Sequence, residues 1–429
     1  MKFSQTRSLK VWRTLSNGTQ CQVGTLAQNQ QGVFFQYHDD YLTQFVNLSP
    51  FALHFDSSLQ AAPLSPHKGL HGVFADSLPD GWGLLLMDRV FRQAGILPAQ
   101  LTAMDRLAFV ADRGMGALSY QPPSDLQPQA SQTSVRISKL GLAAQALFDG
   151  QVVEVLTELA NAGSSGGARP KAQLYLADPK VDYCSTIPYT GSNAFLVKFT
   201  SSQLPLEHEE GLCEAVYLTL AKQAGIAVPD WHLLNAPQAL SGKNAKQWLA
   251  LERFDITPQG GRLHLHSACG LLDADFRMPS LDYIDLIKAS SLLTNSPDAG
   301  QAQFRRAVFN LFALNQDDHS KNWAFLQNDK GDWQLAPFYD VTFSPGPYGE
   351  HATAFAGFGK TPPLKAMQKL AAQASFADWT QAKAVISEVV EVIAGFGRVA
   401  RQLAVSQQSI RLIEQQIKAV RQANQVLLS

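Results

Sequence analysis

The chain has 429 residues, 45% of them apolar and 17% charged, with 35 Lys and Arg against 36 Asp and Glu for a net charge of −1. That composition excludes a disordered chain and allows large cores in two or three lobes. The charge balance argues against a dominant electrostatic footprint for nucleic acid and leaves room only for a local patch.

The first 55 residues are short alternating runs broken by turns, such as Val11-Trp12 before Asn17-Gly18 and the run Gly32–Tyr37. This pattern predicts three or more strands in a small sheet. Residues 81–94 read as a helix whose polar entry offers Asp80 for capping, residues 101–110 as a second helix start, Asp112–Gly116 as a turn and Leu118–Tyr120 as a short strand. The polar, proline-containing stretch 121–134 reads as a linker that closes an N-terminal subdomain of small sheet plus helices, residues 1–125. A helix over 138–160, a Gly/Ser loop, and strands over 171–177 and 194–199 follow. A helix over 207–224 stops at Gly225, with Pro229 beyond, and Trp248–Arg253 reads as a buried strand. This second part spans 135–255. The third, 256–429, reads as mostly helical, with helices over 281–294, 300–314, 363–374, 378–396 and 398–425. Phe304, Val308, Phe309 and Phe312 recur at helical spacing and read as core. No internal repeat is present.

Cys21, Cys184, Cys213 and Cys269 are scattered without a CxxC, which argues against a zinc site or disulfide framework and fits a reducing cytoplasm. No apolar run of about 18 residues and no signal-peptide core occurs, so the sequence predicts a soluble, cytoplasmic protein with no membrane partner.

The most informative stretch is Asn315-Gln316-Asp317-Asp318-His319-Ser320-Lys321-Asn322, followed by Pro337-Phe338-Tyr339-Asp340. An acidic residue precedes an Asn by five positions, and a second Asp follows Asp317 by 23, across two short apolar runs. Phosphoryl transfer to a hydroxyl needs such a set: a carboxylate near the acceptor proton, and an amide and a carboxylate on magnesium. Asp317 would orient or deprotonate the acceptor, and Asn322 and Asp340 would hold the metal through oxygen. Asp318 fits the base role as well as Asp317 does by spacing alone. His319 and Lys321 would support the loop or a phosphate; His319 has no second soft ligand at zinc spacing.

Upstream, Gly163-Ser164-Ser165-Gly166-Gly167-Ala168-Arg169-Pro170-Lys171 combines small residues with cations, as a loop approached by phosphate does. It is not a Walker A loop, and a surface turn accounts for it equally well on its own. Lys198 is a single cation inside the apolar run Ala194–Phe199. Burying an ammonium needs a compensating partner, either phosphate or a carboxylate. Glu214 shares a helix side with Leu218 and Ala221 and would face inward beside it, as in the Lys–Glu pair of kinases. Glu252, Arg253 and Phe254 would then form the segment presenting backbone to adenine. Gly349-Glu350-His351 reads as a turn or a substrate contact.

In their order, these motifs resemble the HipA-type toxins of bacterial type II toxin–antitoxin systems, which are serine/threonine protein kinases. Asp76–Gly83 with Asp112–Leu118 is similar to the N-terminal signature of that family. Ser164–Lys171 is similar to its phosphate loop, and Asn315–Asn322 with Phe338–Val341 to its catalytic and metal-binding motifs. The resemblance implies an α+β, protein-kinase-like two-lobed fold, with a β-rich N-terminal subdomain and a mostly helical C-terminal lobe. It implies ATP and Mg2+ as cofactors, Lys198 on the ATP phosphates, Asp317 as catalytic aspartate, Asn322 and Asp340 on magnesium, and Glu252 and Phe254 at adenine. It also implies autophosphorylation of Ser164, a role Ser165 could share, which would switch the enzyme off by placing negative charge beside the phosphates. The implied partners are a HipB-like helix-turn-helix antitoxin, operator DNA reached mainly through it, and a protein substrate, for which aminoacyl-tRNA synthetases are the family precedent. A kinase-like corepressor and a small-molecule kinase share the same motifs.

Overall fold

The computed structural model describes residues 3–128, 134–151, 157–163, 166–237 and 245–429. The chain forms two compact units. The first comprises Met1–His208, Trp231–Asp273 and Leu326–Asp332, and the second Glu209–Asp230, Ala274–Phe325 and Trp333–Ser429.

The first unit holds two sheets. One has five antiparallel strands, β1 (Ser8–Thr14), β2 (Gln20–Asn29), β3 (Gly32–Tyr37), β4 (Gln60–Ala61) and β5 (Leu118–Gln121), in the order β4-β3-β2-β1-β5. The alternating runs expected from the sequence are these strands: Leu9, Val11, Leu26 and Phe35 point to one core. Phe74 and Leu107, from the helices Gly72–Ala75 and Ala103–Val110, pack on that core. The second helix opens on a capping box in which Thr102 and Asp105 satisfy each other's backbone N–H.

The other sheet has strands β6 (Lys171–Leu176), β7 (Asn193–Lys198), β8 (Trp231–Asn235) and β9 (Gln247–Glu252), in the order β6-β7-β9-β8 and antiparallel throughout. Strand alternation gives its faces different characters. Ala172, Leu174, Phe195, Val197, Trp248 and Ala250 pack with Leu140 and Ala144 of the Ile137–Phe148 helix. A Cβ on Gly141 of that helix would lie 2.2 Å from the Trp248 ring, so only glycine allows the approach. The opposite face carries Lys171, Gln173 and Lys198. The helix expected over 138–160 stops at Phe148, where Gly150 takes a left-handed φ of +79°; a short helix, Thr157–Asn161, follows. Residues 152–156 lie outside the described residues.

The second unit is mostly helical: Glu210–Gln223, Tyr283–Thr294, Pro297–Ala313, Leu364–Gln373, Trp379–Ala394, Phe396–Gln402 and Gln407–Ala423. Phe304, Val308, Phe309 and Phe312 are buried, as their spacing predicts. The single helix expected over 398–425 is two helices, separated at Ala404, which has φ +59°. The carboxylate of Glu209 accepts the backbone N–H of Ser406 at 2.7 Å and its hydroxyl at 2.8 Å, and Ser406 caps the last helix. A tertiary partner far away in sequence therefore makes the break.

Candidate active site

The loop that carries Asp317 is built from a helix end. The Pro297–Ala313 helix stops at Leu314, which takes the left-handed conformation at φ +55°. A branched residue adopts this only when its surroundings compensate. Here they do: the amide of Asn315 donates to Asn310 at 2.8 Å, and its oxygen accepts the Ser344 hydroxyl at 2.9 Å. Asn310 in turn donates to the Tyr283 hydroxyl at 3.0 Å.

The two neighbouring carboxylates that spacing left equivalent differ completely in environment. Asp318 is 1% exposed. Its carboxylate accepts from the Tyr283 hydroxyl at 2.5 Å and the Thr353 N–H at 3.1 Å, and it meets His351 Nδ1 at 2.9 Å. Burial pushes the Tyr283 hydroxyl well above the ordinary tyrosine range, with the Asp318 charge adding to it. Asp318 is thus committed to holding the loop. Asp317 is exposed, with His319 Nε2 3.9 Å from its carboxylate. His351, legible in the sequence only as part of a turn or substrate contact, is a buried partner of Asp318.

Asn322 donates its side-chain N–H to the Asp317 carbonyl at 2.7 Å, so its Oδ1 is the side-chain atom able to accept or to ligate a cation. Asp340 takes a left-handed φ of +54°. Its neighbours are pinned: the Tyr339 hydroxyl donates to the Lys321 carbonyl at 2.8 Å, and the Phe338 ring stacks on Trp323 at 5.9 Å. Arg306 supports the same segment by donating to the Ala336 carbonyl at 2.8 Å; burial pushes its guanidinium down to about 10. The sequence signal for Arg306 was a cation within an apolar helix face. The Lys321 ammonium lies over the Phe276 ring at 4.4 Å, and the His319 ring is 5.7 Å from the same ring. Both therefore brace the loop. Among the described residues no group of three or more His, Cys, Asp or Glu could hold a metal alone. An amide oxygen and a carboxylate instead fit a magnesium ion that keeps waters and phosphate oxygens as its other ligands.

In the first unit, Lys171 and Lys198 are directly opposite each other across β6 and β7, 3% and 6% exposed. Like charges placed so on one sheet face are unfavourable unless an anion or polar group compensates. Part of that compensation is visible: Lys171 Nζ donates to the Gly166 carbonyl at 2.7 Å. Asp80, expected as a helix cap, makes no cap hydrogen bond; its carboxylate accepts the Gly167 N–H instead. Trp82 then donates its backbone N–H to the Gly167 carbonyl at 3.1 Å and its indole N–H to the Lys171 carbonyl at 2.9 Å. Gly81 is required here, since a Cβ would sit 2.6 Å from the Ala168 backbone. The Asp80-Gly81-Trp82 signature is thus a clamp on the loop. Ser164 and Ser165 lie outside the described residues.

Glu252 ends β9, half-buried, with Phe254 also half-buried beyond it. Arg253, the middle residue of that expected backbone segment, has its side chain engaged within the fold. Its guanidinium donates to both Asp255 oxygens at 3.0 and 2.6 Å and to Gln173 at 2.6 Å, all buried. Burial would raise the Asp255 carboxyl, but Arg253 and the Gly116 N–H hold it below the usual range. These bonds commit the Arg253 side chain to the fold. Glu214, in the second unit, is 1% exposed, on the buried side with Leu218 and Ala221 as expected.

Residues 163–395 match the family model described as HipA-like C-terminal domain, and residues 17–121 the HipA N-terminal domain. The putative kinase Y4dM of Sinorhizobium fredii (strain NBRC 101917 / NGR234) is 30% identical over 226 residues, 49% of this chain and 53% of that protein. The chain thus spans about half the length of this curated relative. Among solved structures, HipA of the Shewanella oneidensis MR-1 toxin–antitoxin system, in complex with HipB and operator DNA, matches at TM-score 0.61 and 16% identity over 97% of this chain and 96% of that one. This likeness shows a common α+β fold. The Helicobacter pylori proinflammatory kinase CtkA aligns over 56% of this chain and 90% of that one at TM-score 0.38 and 12% identity, too low to argue from.

Proposed function

Because this chain belongs to the HipA family, whose C-terminal model covers residues 163–395, we propose that it is an ATP- and Mg2+-dependent serine/threonine protein kinase acting as a toxin. The observation that carries this reading is the contrast within one loop. Asp317 is exposed, while Asp318 is buried under hydrogen bonds and Asn322 is tied to the Asp317 backbone. A loop braced this way presents one carboxylate at a fixed position, which is what alignment-based phosphoryl transfer requires.

In this mechanism Asp317 accepts the proton of the acceptor hydroxyl as its oxygen bonds to the γ-phosphorus. The bond to the bridging oxygen breaks, and ADP leaves. Lys198 and the backbone of Gly166, Gly167 and Ala168, with Lys171, bind the phosphates; Glu214 is the helix carboxylate of the catalytic set, and Glu252 and Phe254 take the adenine. Asn322 and Asp340 would hold magnesium, which would neutralise phosphate charge. His319 and Lys321 keep the loop in place. Phosphorylation of Ser164 or Ser165 would set about two negative charges beside the phosphate cations and oppose ATP. Partners on this reading are a HipB-like helix-turn-helix antitoxin, with operator DNA reached through it, and a translation-related protein substrate such as an aminoacyl-tRNA synthetase. No described helix is long and apolar enough to cross a membrane.

The test is incubation of the purified chain with labelled ATP and Mg2+, beside Asp317→Asn, followed by peptide mapping. Label on Ser164 or Ser165 in the wild type only supports the reading. Absence of both label and ATP binding overturns it.

A further inference from the structure

Both neighbours of Asp317 in the chain hold the same downstream segment. Gln316 donates from Nε2 to the Gly349 carbonyl at 2.9 Å and accepts the Gly346 N–H on Oε1 at 2.8 Å. Its backbone N–H donates to Ser344 at 3.1 Å and its carbonyl accepts from Ala352 at 3.1 Å. Asp318 takes His351 and Thr353 from the other side. The turn Pro347–Gly349 is therefore held in register with the candidate base.

At the tip of that turn stands Tyr348, 92% exposed and in the left-handed conformation at φ +60°. Lys360 Nζ donates to its carbonyl at 3.1 Å, and a Cβ on Gly346 would lie 2.2 Å from the Glu350 carbonyl, so the turn has little freedom. A left-handed tyrosine costs free energy, and an aromatic ring this exposed recovers none of it by burial in its own fold. Strain of this kind gathers where a residue must be presented to something else. Small molecules are taken by concave sites, whereas a bare aromatic ring on a rigid turn suits contact with an extended polypeptide.

Resting on the kinase reading above, we propose that Tyr348 is a specificity-determining residue: its ring receives an apolar side chain or proline of the substrate segment flanking the acceptor hydroxyl. Phe358, 44% exposed, follows in the same segment, where the His351 N–H donates to the Gly359 carbonyl at 2.8 Å. It gives the substrate a second apolar contact.

The experiment uses the full chain, labelled ATP and a positional library of serine-centred synthetic peptides, with wild type, Tyr348→Ala and Tyr348→Phe compared. Wild type should favour an apolar residue at one position beside the serine. Tyr348→Ala should lower peptide kcat/KM about tenfold and flatten that preference, as loss of an aromatic anchor does. Its KM for ATP and its Tm should stay unchanged, and Tyr348→Phe should keep the preference. Unchanged selectivity in Tyr348→Ala overturns the proposal. So does a wild type that labels lysate proteins but no peptide, since this docking needs only the flanking residues. A wild type that labels neither fails the kinase reading itself and removes the ground for this one.

Discussion

The side-chain amide of Asn322 donates to the backbone carbonyl of Asp317 at 2.7 Å, which fixes the candidate base and a candidate metal ligand to each other within one loop. The same loop separates two adjacent carboxylates. Asp317→Asn should lower phosphotransfer by roughly 10²- to 10⁴-fold, the range for a proton-accepting group, with Tm unchanged because the side chain is exposed. Asp318→Asn should instead lower stability by about 2 kcal/mol, through weakened charge-assisted bonds to Tyr283, His351 and Thr353. Denaturant unfolding beside a rate assay distinguishes the two; equal loss of stability in both variants would contradict the assignment.

The opposed lysines of β6 and β7 predict stabilisation by polyanions. ATP, or tripolyphosphate as a probe without adenine, should raise stability by about 2.7 kcal/mol at roughly 100 times its Kd. Most of that gain should disappear in Lys198→Met, because one of two facing cations is gone. Thermal unfolding with and without each anion checks this, and an equal gain in the variant would remove Lys198 from the phosphate site.

Arg253 should behave as a fold residue. Arg253→Met leaves Asp255 buried without its ion pair and should cost about 3–5 kcal/mol. Arg253→Lys should also destabilise, since an ammonium cannot reproduce the two-pronged contact. Urea unfolding measures the cost, and titration of the surviving folded fraction with ATP should give a wild-type Kd. Weakened ATP binding in a folded variant would restore the nucleotide role.

Acid should weaken the first unit well before carboxylates titrate. Burial lowers the His71 imidazole to about 4, partly opposed by Asp273, against an unfolded value near 6.5. Between those values the unfolded chain binds more protons, so stability is full above about pH 6.5 and falls as pH drops toward 4, by ~3 kcal/mol for this one group. His264, held well below its ordinary value by burial, acts in the same direction. His71→Phe, which keeps a ring between Phe35 and Phe74, should flatten the slope of unfolding free energy against pH in this window. A slope equal to wild type would show that His71 stays protonatable when folded.

What could be read from the sequence was local. Alternation in Ser8–Tyr37 and the helical spacing of Phe304, Val308, Phe309 and Phe312 report a residue's neighbours one or two turns away, and the elements formed where expected. Gly225 ended its helix with φ +74°, because that signal is also local. Errors arose where a distant partner decided. Glu209 splits the last helix at Ser406, nearly two hundred positions away. Asp80 had the right position for a cap, but the Gly167 N–H took its carboxylate.

By itself the sequence determined the kinds of chemistry available: side-chain oxygens at Asn322 and Asp340, a carboxylate at position 317 or 318, and cations at Lys171 and Lys198. Spacing fixes which residue types share a loop or strand, and those types limit the reaction. The tertiary structure alone decided which of two adjacent aspartates faces water, that Arg253 belongs to Asp255, and that His351 lies under the loop. Burial and hydrogen-bond partners depend on groups brought together by folding. Identical side chains at successive positions can therefore have opposite environments, which no linear pattern records.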